Sequence, residues 1–112
     1  MKIYHNPRCS KSRQTLQLIK DAGADLEIIE YLKDIPTAEE LKMILMKLHL
    51  SPKDIVRKGE GVYKEKFKNS DFNDDEWIKV MLEYPKLIER PIVIKGNKAV
   101  IGRPPENVLD LI

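Results

Sequence analysis

Cysteine occurs once in the 112 residues, at position 9. A single thiol excludes an intrachain disulfide and any multi-cysteine zinc site. The sequence reads as that of a protein in a reducing, cytoplasmic compartment. Long hydrophobic runs are also missing: no apolar stretch approaches the roughly 20 residues of a membrane span. The opening Met1-Lys2-Ile3-Tyr4-His5-Asn6 is too polar for a signal peptide. An excess of one charge is lacking too, since 20 Lys and Arg face 18 Asp and Glu. Split at Val56, the first half carries nine basic and eight acidic residues and the second eleven and ten. Neither half is a basic arm or an acidic tail, so neither nucleic acid nor a membrane surface is implied as a partner. Repeats, low-complexity stretches and linkers are absent. Length and a 42% hydrophobic content suit one globular domain spanning residues 1–112. A monomer is expected.

Among the cations, arginine is scarce. Fifteen are Lys and five are Arg: Arg8, Arg13, Arg57, Arg90 and Arg103. Lysines are scattered as expected of solvated surface. Arginine is the residue for planar, bidentate recognition of oxyanions. Arg8 and Arg13 flank the cysteine, Arg90 precedes Pro91, and Arg103 lies between Gly102 and Pro104.

Local patterns give an element order. Lys2–Tyr4 reads as a short strand, and Asn6-Pro7 as a turn. From about Ser12, Leu16, Ile19 and Ala22 fall at helical spacing, with Gly23 as the stop. Leu26–Tyr31 reads as a second strand. A helical middle follows. Thr37 with Glu40 forms a capping box before Leu41, Ile44, Leu45 and Leu48. Ser51-Pro52 is a second helix start, and Gly59 and Gly61 interrupt any continuous helix there. Asn73-Asp74-Asp75-Glu76 caps a third helix with acids in its first turn. Its apolar stripe is Trp77, Val80, Met81 and Tyr84, and Pro85 stops it. Ile92–Ile94 and Ala99–Ile101 flank Lys95-Gly96-Asn97-Lys98 as a hairpin. Pro104-Pro105 then opens a terminal helix containing Val108, Leu111 and Ile112. The order βαβ, helices, ββα predicts an α/β fold: a mixed sheet with helices on its faces. The helical middle, approximately residues 34–85, is expected as an insertion packed against one side.

Cys9 is the candidate reactive group. Its neighbours Asn6-Pro7-Arg8-Ser10-Lys11-Ser12-Arg13 are not those of a buried core cysteine. It lies between the first strand and the first helix, at the carboxyl edge where open α/β sheets place ligands. Ser10 or Ser12 can cap that helix, leaving N–H groups pointed at the loop. The helix end with Arg8, Lys11 and Arg13 is expected to lower the thiol pKa. The third residue after Cys9 is Ser12, so a two-cysteine redox loop is absent. The sixth is Thr15, where the tyrosine-phosphatase loop has Arg. Arg90-Pro91 precedes the hairpin's first strand. A cis-proline loop there would bring Arg90 toward the thiol in a thioredoxin-like sheet. Arg103 could reach it from the same edge. Arg57 would have to come from the helical insertion, and alone it reads as a surface charge.

Four segments together resemble the glutaredoxin-coupled arsenate reductase family: Tyr4–Arg13, Arg57-Lys58, Arg90–Val93 and Gly102-Arg103-Pro104. The resemblance runs over essentially the whole chain. It implies a thioredoxin-like (glutaredoxin-like) mixed sheet with a helical insertion. By the same resemblance Cys9 is the catalytic cysteine. Arg57, Arg90 and Arg103 bind the arsenate or arsenite oxyanion, and Asn6, Ser12 and Arg13 shape the thiol loop. The implied activity is reduction of arsenate to arsenite through a Cys9–arsenic adduct. Glutathione is the co-substrate, glutaredoxin the partner, and no cofactor or metal is held. Ser10-Lys11 replaces the Gly-Thr common in the resistance enzymes, which looks like the compact arsenate reductase-like members. Two alternatives remain at this point. One is a regulator similar to the RNA polymerase-binding Spx proteins, whose first loop commonly carries the second cysteine that Ser12 replaces here. The other is a thiol oxidoreductase of the same fold acting on another substrate.

Overall fold

A computed structural model describes residues 1–112. The chain forms two compact units, one of residues Met1–Asp34 with Arg90–Ile112 and one of Ile35–Glu89.

The first unit is built on a four-stranded mixed sheet. Its elements are β1 (Lys2–His5), α1 (Ser10–Asp21), β2 (Glu27–Glu30), β3 (Ile92–Lys95), β4 (Lys98–Ile101) and a 3₁₀ turn, Pro105–Asp110. The strand order is β2-β1-β3-β4. The α1 crossover makes β1 and β2 parallel, while β3 runs antiparallel to both β1 and β4. This is the thioredoxin-like arrangement that the βαβ…ββα order anticipates. The hairpin closes through Gly96, whose φ of 60° is a left-handed conformation that glycine adopts freely. Ile3 and Val93 are direct cross-strand partners. With Ile19 of α1, Val108 and Leu111 they form a buried cluster on one face of the sheet. Each such aliphatic side chain contributes about 1.5–3 kcal/mol by leaving water. The edge strand β2 is shorter than the Leu26–Tyr31 expected. Its Glu27 and Glu30 are charged, as suits an edge that must not pair further. Tyr31 leaves the strand and is buried.

The second unit is helical. It contains α2 (Ala38–Leu48), a 3₁₀ turn (Pro52–Ile55), a π-helical turn (Tyr63–Phe67), α3 (Asp74–Glu83) and a 3₁₀ turn at Pro85–Leu87. Thr37, Ser51 and Asn73 are N-caps as predicted, but the Thr37 box is half formed, because the Glu40 carboxylate accepts from the Thr37 hydroxyl and not from its N–H. Thr37 Oγ1 accepts the Glu40 N–H, and Asn73 Oδ1 accepts the Glu76 N–H. The Glu76 carboxylate returns the bond to the Asn73 N–H, completing its box. Leu41, Ile44 and Leu45 of α2 are buried, as are Trp77, Ile78 and Met81 of α3. The stripe of α3 is therefore centred one residue from the sequence reading: Ile78 is buried while Val80 and Tyr84 are half-exposed. Trp77 and Tyr84 also belong to an aromatic cluster. Trp77 stacks on Tyr63 and meets Phe67 and Phe72 edge-on, and Phe67 meets Tyr84. A bridge pairs Val56 with Ile88. The Arg57 N–H donates to the Leu87 carbonyl, and the Glu89 N–H to that of Ile55. No helix is long and apolar enough to cross a membrane.

Candidate active site

Strand register determines which loops meet. Tyr4 of β1 faces Ile92 of β3, and Ile92 faces Ile101 of β4. The end of β1, the start of β3 and the end of β4 therefore share one edge of the sheet. Their continuations are the Cys9 loop, Arg90-Pro91 and Gly102-Arg103-Pro104. Both the Arg90–Pro91 and Arg103–Pro104 peptide bonds are cis.

The cap of α1 differs from expectation. Neither Ser10 nor Ser12 occupies it; Cys9 is itself the N-cap, with φ −94° and ψ 121°. The half-buried thiol thus lies at the mouth of the helix, where the first N–H groups have no partner within the helix. The loop before it closes on itself. The Asn6 carbonyl accepts the Cys9 N–H at 3.0 Å, and Asn6 Oδ1 accepts the Arg8 N–H at 3.0 Å. Arg13 Nη1 donates to the Pro7 carbonyl at 2.9 Å. Ser12 is wholly buried, and its hydroxyl ties two elements. Its Oγ accepts the Asn6 N–H at 3.1 Å and lies 2.6 Å from His5 Nδ1. Burial holds His5 below its ordinary pKa, aided by Lys20 and Arg13 and opposed by Glu30. A neutral His5 can accept the Ser12 proton at Nδ1.

The thiol is surrounded by donors. Arg103 Nη2 donates to Cys9 Sγ at 3.3 Å, and Arg103 Nε donates to the Arg90 carbonyl at 2.7 Å. Burial pushes the Cys9 pKa up. The Ser12 backbone N–H, a hydrogen bond from Arg90, and the Arg103 and Arg90 charges outweigh it, so the net shift is downward. The direction is the one expected from the sequence, but its main charged source is not. Arg90 and Arg103, distant in sequence, act on the sulfur, whereas Arg13 is engaged with the Pro7 carbonyl. Burial also works against the Arg90 charge, yet Tyr31 and the Cys9 sulfur hold the guanidinium protonated.

Cys9, Asn6, Ser12, Arg13, Arg90 and Arg103 thus belong to one unit and, through these contacts, to one site. Arg57 belongs to the other unit. There its Nη1 donates to Glu89 Oε1 at 3.0 Å, and its Nε lies 3.4 Å from Glu60 Oε1. No group of three His, Cys, Asp or Glu side chains is placed to hold a metal ion.

Two supports escaped the sequence reading. Tyr31, fully buried, favours the charged form of Arg90, and nothing local marks it as different from any strand-end tyrosine. Gly102 lies against α1: a Cβ there would overlap Thr15 Oγ1 and come within 2.8 Å of the Pro91 ring. Thr15 Oγ1 donates to the Lys11 carbonyl at 2.8 Å. Its place at the sixth position after Cys9 has this packing role.

The ArsC family sequence pattern matches residues 4–111. The arsenate reductase of Neisseria meningitidis serogroup A is 42% identical over 96% of this chain and 94% of its own length. The uncharacterized protein YfgD of Escherichia coli K12 is 45% identical, over 100% of this chain and 96% of its own. A solved structure of an arsenate reductase from Vibrio cholerae superposes with a TM-score of 0.93 at 45% identity, covering 100% of this chain and 98% of that one.

Proposed function

The chain belongs to the ArsC family, and from that premise we propose that it reduces arsenate to arsenite, with Cys9 as nucleophile and glutathione and glutaredoxin supplying the further thiols. The observation that carries this reading is the Cys9 sulfur under the Arg103 guanidinium at 3.3 Å. A thiol whose pKa is lowered by a backbone N–H and fixed cations is more often the nucleophilic thiolate than a free cysteine is. The same cations suit an anion that must approach it.

The thiolate attacks As(V), and an oxygen leaves as water or hydroxide. The glutathione thiol condenses on the arsenic with loss of a second water, so the arsenic carries two sulfurs. A glutaredoxin thiolate attacks the glutathione sulfur. The glutathione S–As bond breaks, its electron pair stays on arsenic, and the two outside sulfurs depart as a mixed disulfide. Arsenic is then As(III) on Cys9. Hydrolysis of that bond releases arsenite and returns the thiol. Arg90 and Arg103 act as oxyanion ligands, and Arg57 is proposed as a third on the resemblance alone. Asn6, Ser12 and Arg13 keep the loop in shape. No bound cofactor takes part.

The test is arsenite production from arsenate with glutathione, glutaredoxin and an NADPH-regenerating system. Wild-type protein turns over and Cys9→Ser does not. Wild-type turnover no higher than that of Cys9→Ser would overturn the reading. Arg90→Ala is expected to lose roughly tenfold or more in kcat/KM, as removal of one charged donor from a reacting centre does. Loss of a surface lysine, Lys79→Ala, should change little.

A further inference from the structure

The first unit holds a second concavity that the thiol and its two arginines do not line. It has a volume of about 410 Å³ and is lined by Asn6, Pro7, Arg8, Glu30, Leu32 and Lys33, together with His5. That volume lies within the range of small-molecule sites, about 300–1,000 Å³. Its wall is part apolar, through Pro7 and Leu32, and part charged. Its charged side chains are two cations, Arg8 and Lys33, and one carboxylate, Glu30, whose Oε1 is 3.8 Å from Lys33 Nζ. Arg8, in the cavity wall, immediately precedes Cys9, so wall and thiol belong to one continuous loop. The wall is also fixed: Asn6 Oδ1 holds the Arg8 N–H, and Arg13 holds the Pro7 carbonyl. The Lys33 N–H is bonded to the Glu30 carbonyl at 2.9 Å.

A chain with one cysteine needs a thiol from outside. We propose that this cavity seats the charged ends of a small, zwitterionic, peptide-like thiol, with its carboxylates on Arg8 and Lys33 and its ammonium on Glu30. The ligand's sulfur is then presented to the neighbouring Cys9 loop. The two cations and one anion match a thiol with two carboxylates and one ammonium, which is the charge pattern of glutathione. This rests on the reductase reading for the role of the thiol, but recognition itself requires no arsenic.

The experiment therefore leaves arsenic out. Reduced protein is mixed with glutathione disulfide, and the adduct on Cys9 is followed by mass: the Cys9 thiolate attacks one sulfur, the S–S bond breaks, and one glutathione thiolate leaves. The same reaction is run with the neutral bis(2-hydroxyethyl) disulfide. In the variant with both Arg8→Ala and Lys33→Ala, the glutathione disulfide rate is expected to fall roughly tenfold, as loss of charge-assisted contacts implies. The neutral disulfide should change less than about twofold, within the worth of an exposed charge. Glu30→Gln should give a smaller fall of the same selectivity. Lys98→Ala removes a charge from the exposed hairpin and should leave the ratio of the two rates unchanged. Equal slowing with both disulfides, no slowing, or the same loss from Lys98→Ala as from Lys33→Ala alone would each overturn the cavity assignment. Intact discrimination in a protein that produces no arsenite would instead overturn the reductase reading and leave this one standing.

Discussion

At the scale of single residues, the site depends on what surrounds one sulfur. Cys9 is placed as a helix N-cap, and the donors that stabilise its charged form are the Ser12 N–H, Arg90 and Arg103. Alkylation of Cys9 should therefore persist as pH falls below the ordinary thiol range, and Arg103→Ala should move its midpoint upward. A pH-rate profile with iodoacetamide reads both. The linkage has a definite sign. An acid whose folded pKa is depressed adds stability above its unfolded pKa, and that contribution is lost as pH falls through the folded value. His5 works in the same sense, since its depressed pKa makes the unfolded chain bind a proton first as pH drops. Ser12→Ala removes a buried hydroxyl shared by the Asn6 N–H and His5. It should cost about 1–3 kcal/mol in chemical denaturation, as orphaned buried polar groups do. It leaves the backbone N–H at the sulfur, so the thiol midpoint should move less than in Arg103→Ala. Cys9 was legible because its neighbours are polar and no apolar run encloses it. Its role as cap was not, because serine is the far commoner cap and two serines follow.

At the scale of elements, local signals read well and non-local ones did not. Thr37 and Asn73 bond to N–H groups three residues on, so two helix starts were visible in short windows of sequence. The hairpin was visible for the same reason, its turn lying between two β-branched runs. The π-helical turn at Tyr63–Phe67 and its contacts with Trp77 and Tyr84 are set by partners well separated in the chain. No periodicity announces those. Gly102 belongs to the same class. It follows β4, yet what forbids a side chain there is Thr15 on α1 and the Pro91 ring before β3. Gly102→Ala should therefore destabilise by about 1–3 kcal/mol, the usual cost of overpacking, measured as a shift of the urea midpoint. It should also lower reductase activity by moving Arg103 off the sulfur. Pairing Gly102→Ala with Thr15→Ala should recover part of the stability, because the closest overlap is with Thr15 Oγ1.

At the scale of the whole molecule, the sparse composition bears on mechanism. One thiol gives no internal resolving partner, so every turnover that ends in a disulfide must place it on another molecule. If the proposed reaction holds, protein mixed with arsenate alone should release no arsenite, and arsenite should accumulate only when glutathione and glutaredoxin are both present. Five arginines serve two units. Arg90 and Arg103 reach the thiol, while Arg57 is held in the helical unit by Glu60 and Glu89. That pairing gives Arg57 a structural role of its own, which an alanine substitution alone would confuse with a role toward substrate. Arg57→Ala should lower stability, because it removes the hydrogen bond to Glu89 and the ion pair with Glu60. Arg57→Lys keeps the charge and loses the planar fork. If Arg57 binds the oxyanion as proposed, Arg57→Lys should retain most of the stability and still raise KM for arsenate by several-fold, with kcat less affected. Steady-state kinetics beside a denaturation curve of the same variant separate the two roles: a loss of stability with unchanged KM would leave Arg57 a purely structural partner of Glu60 and Glu89.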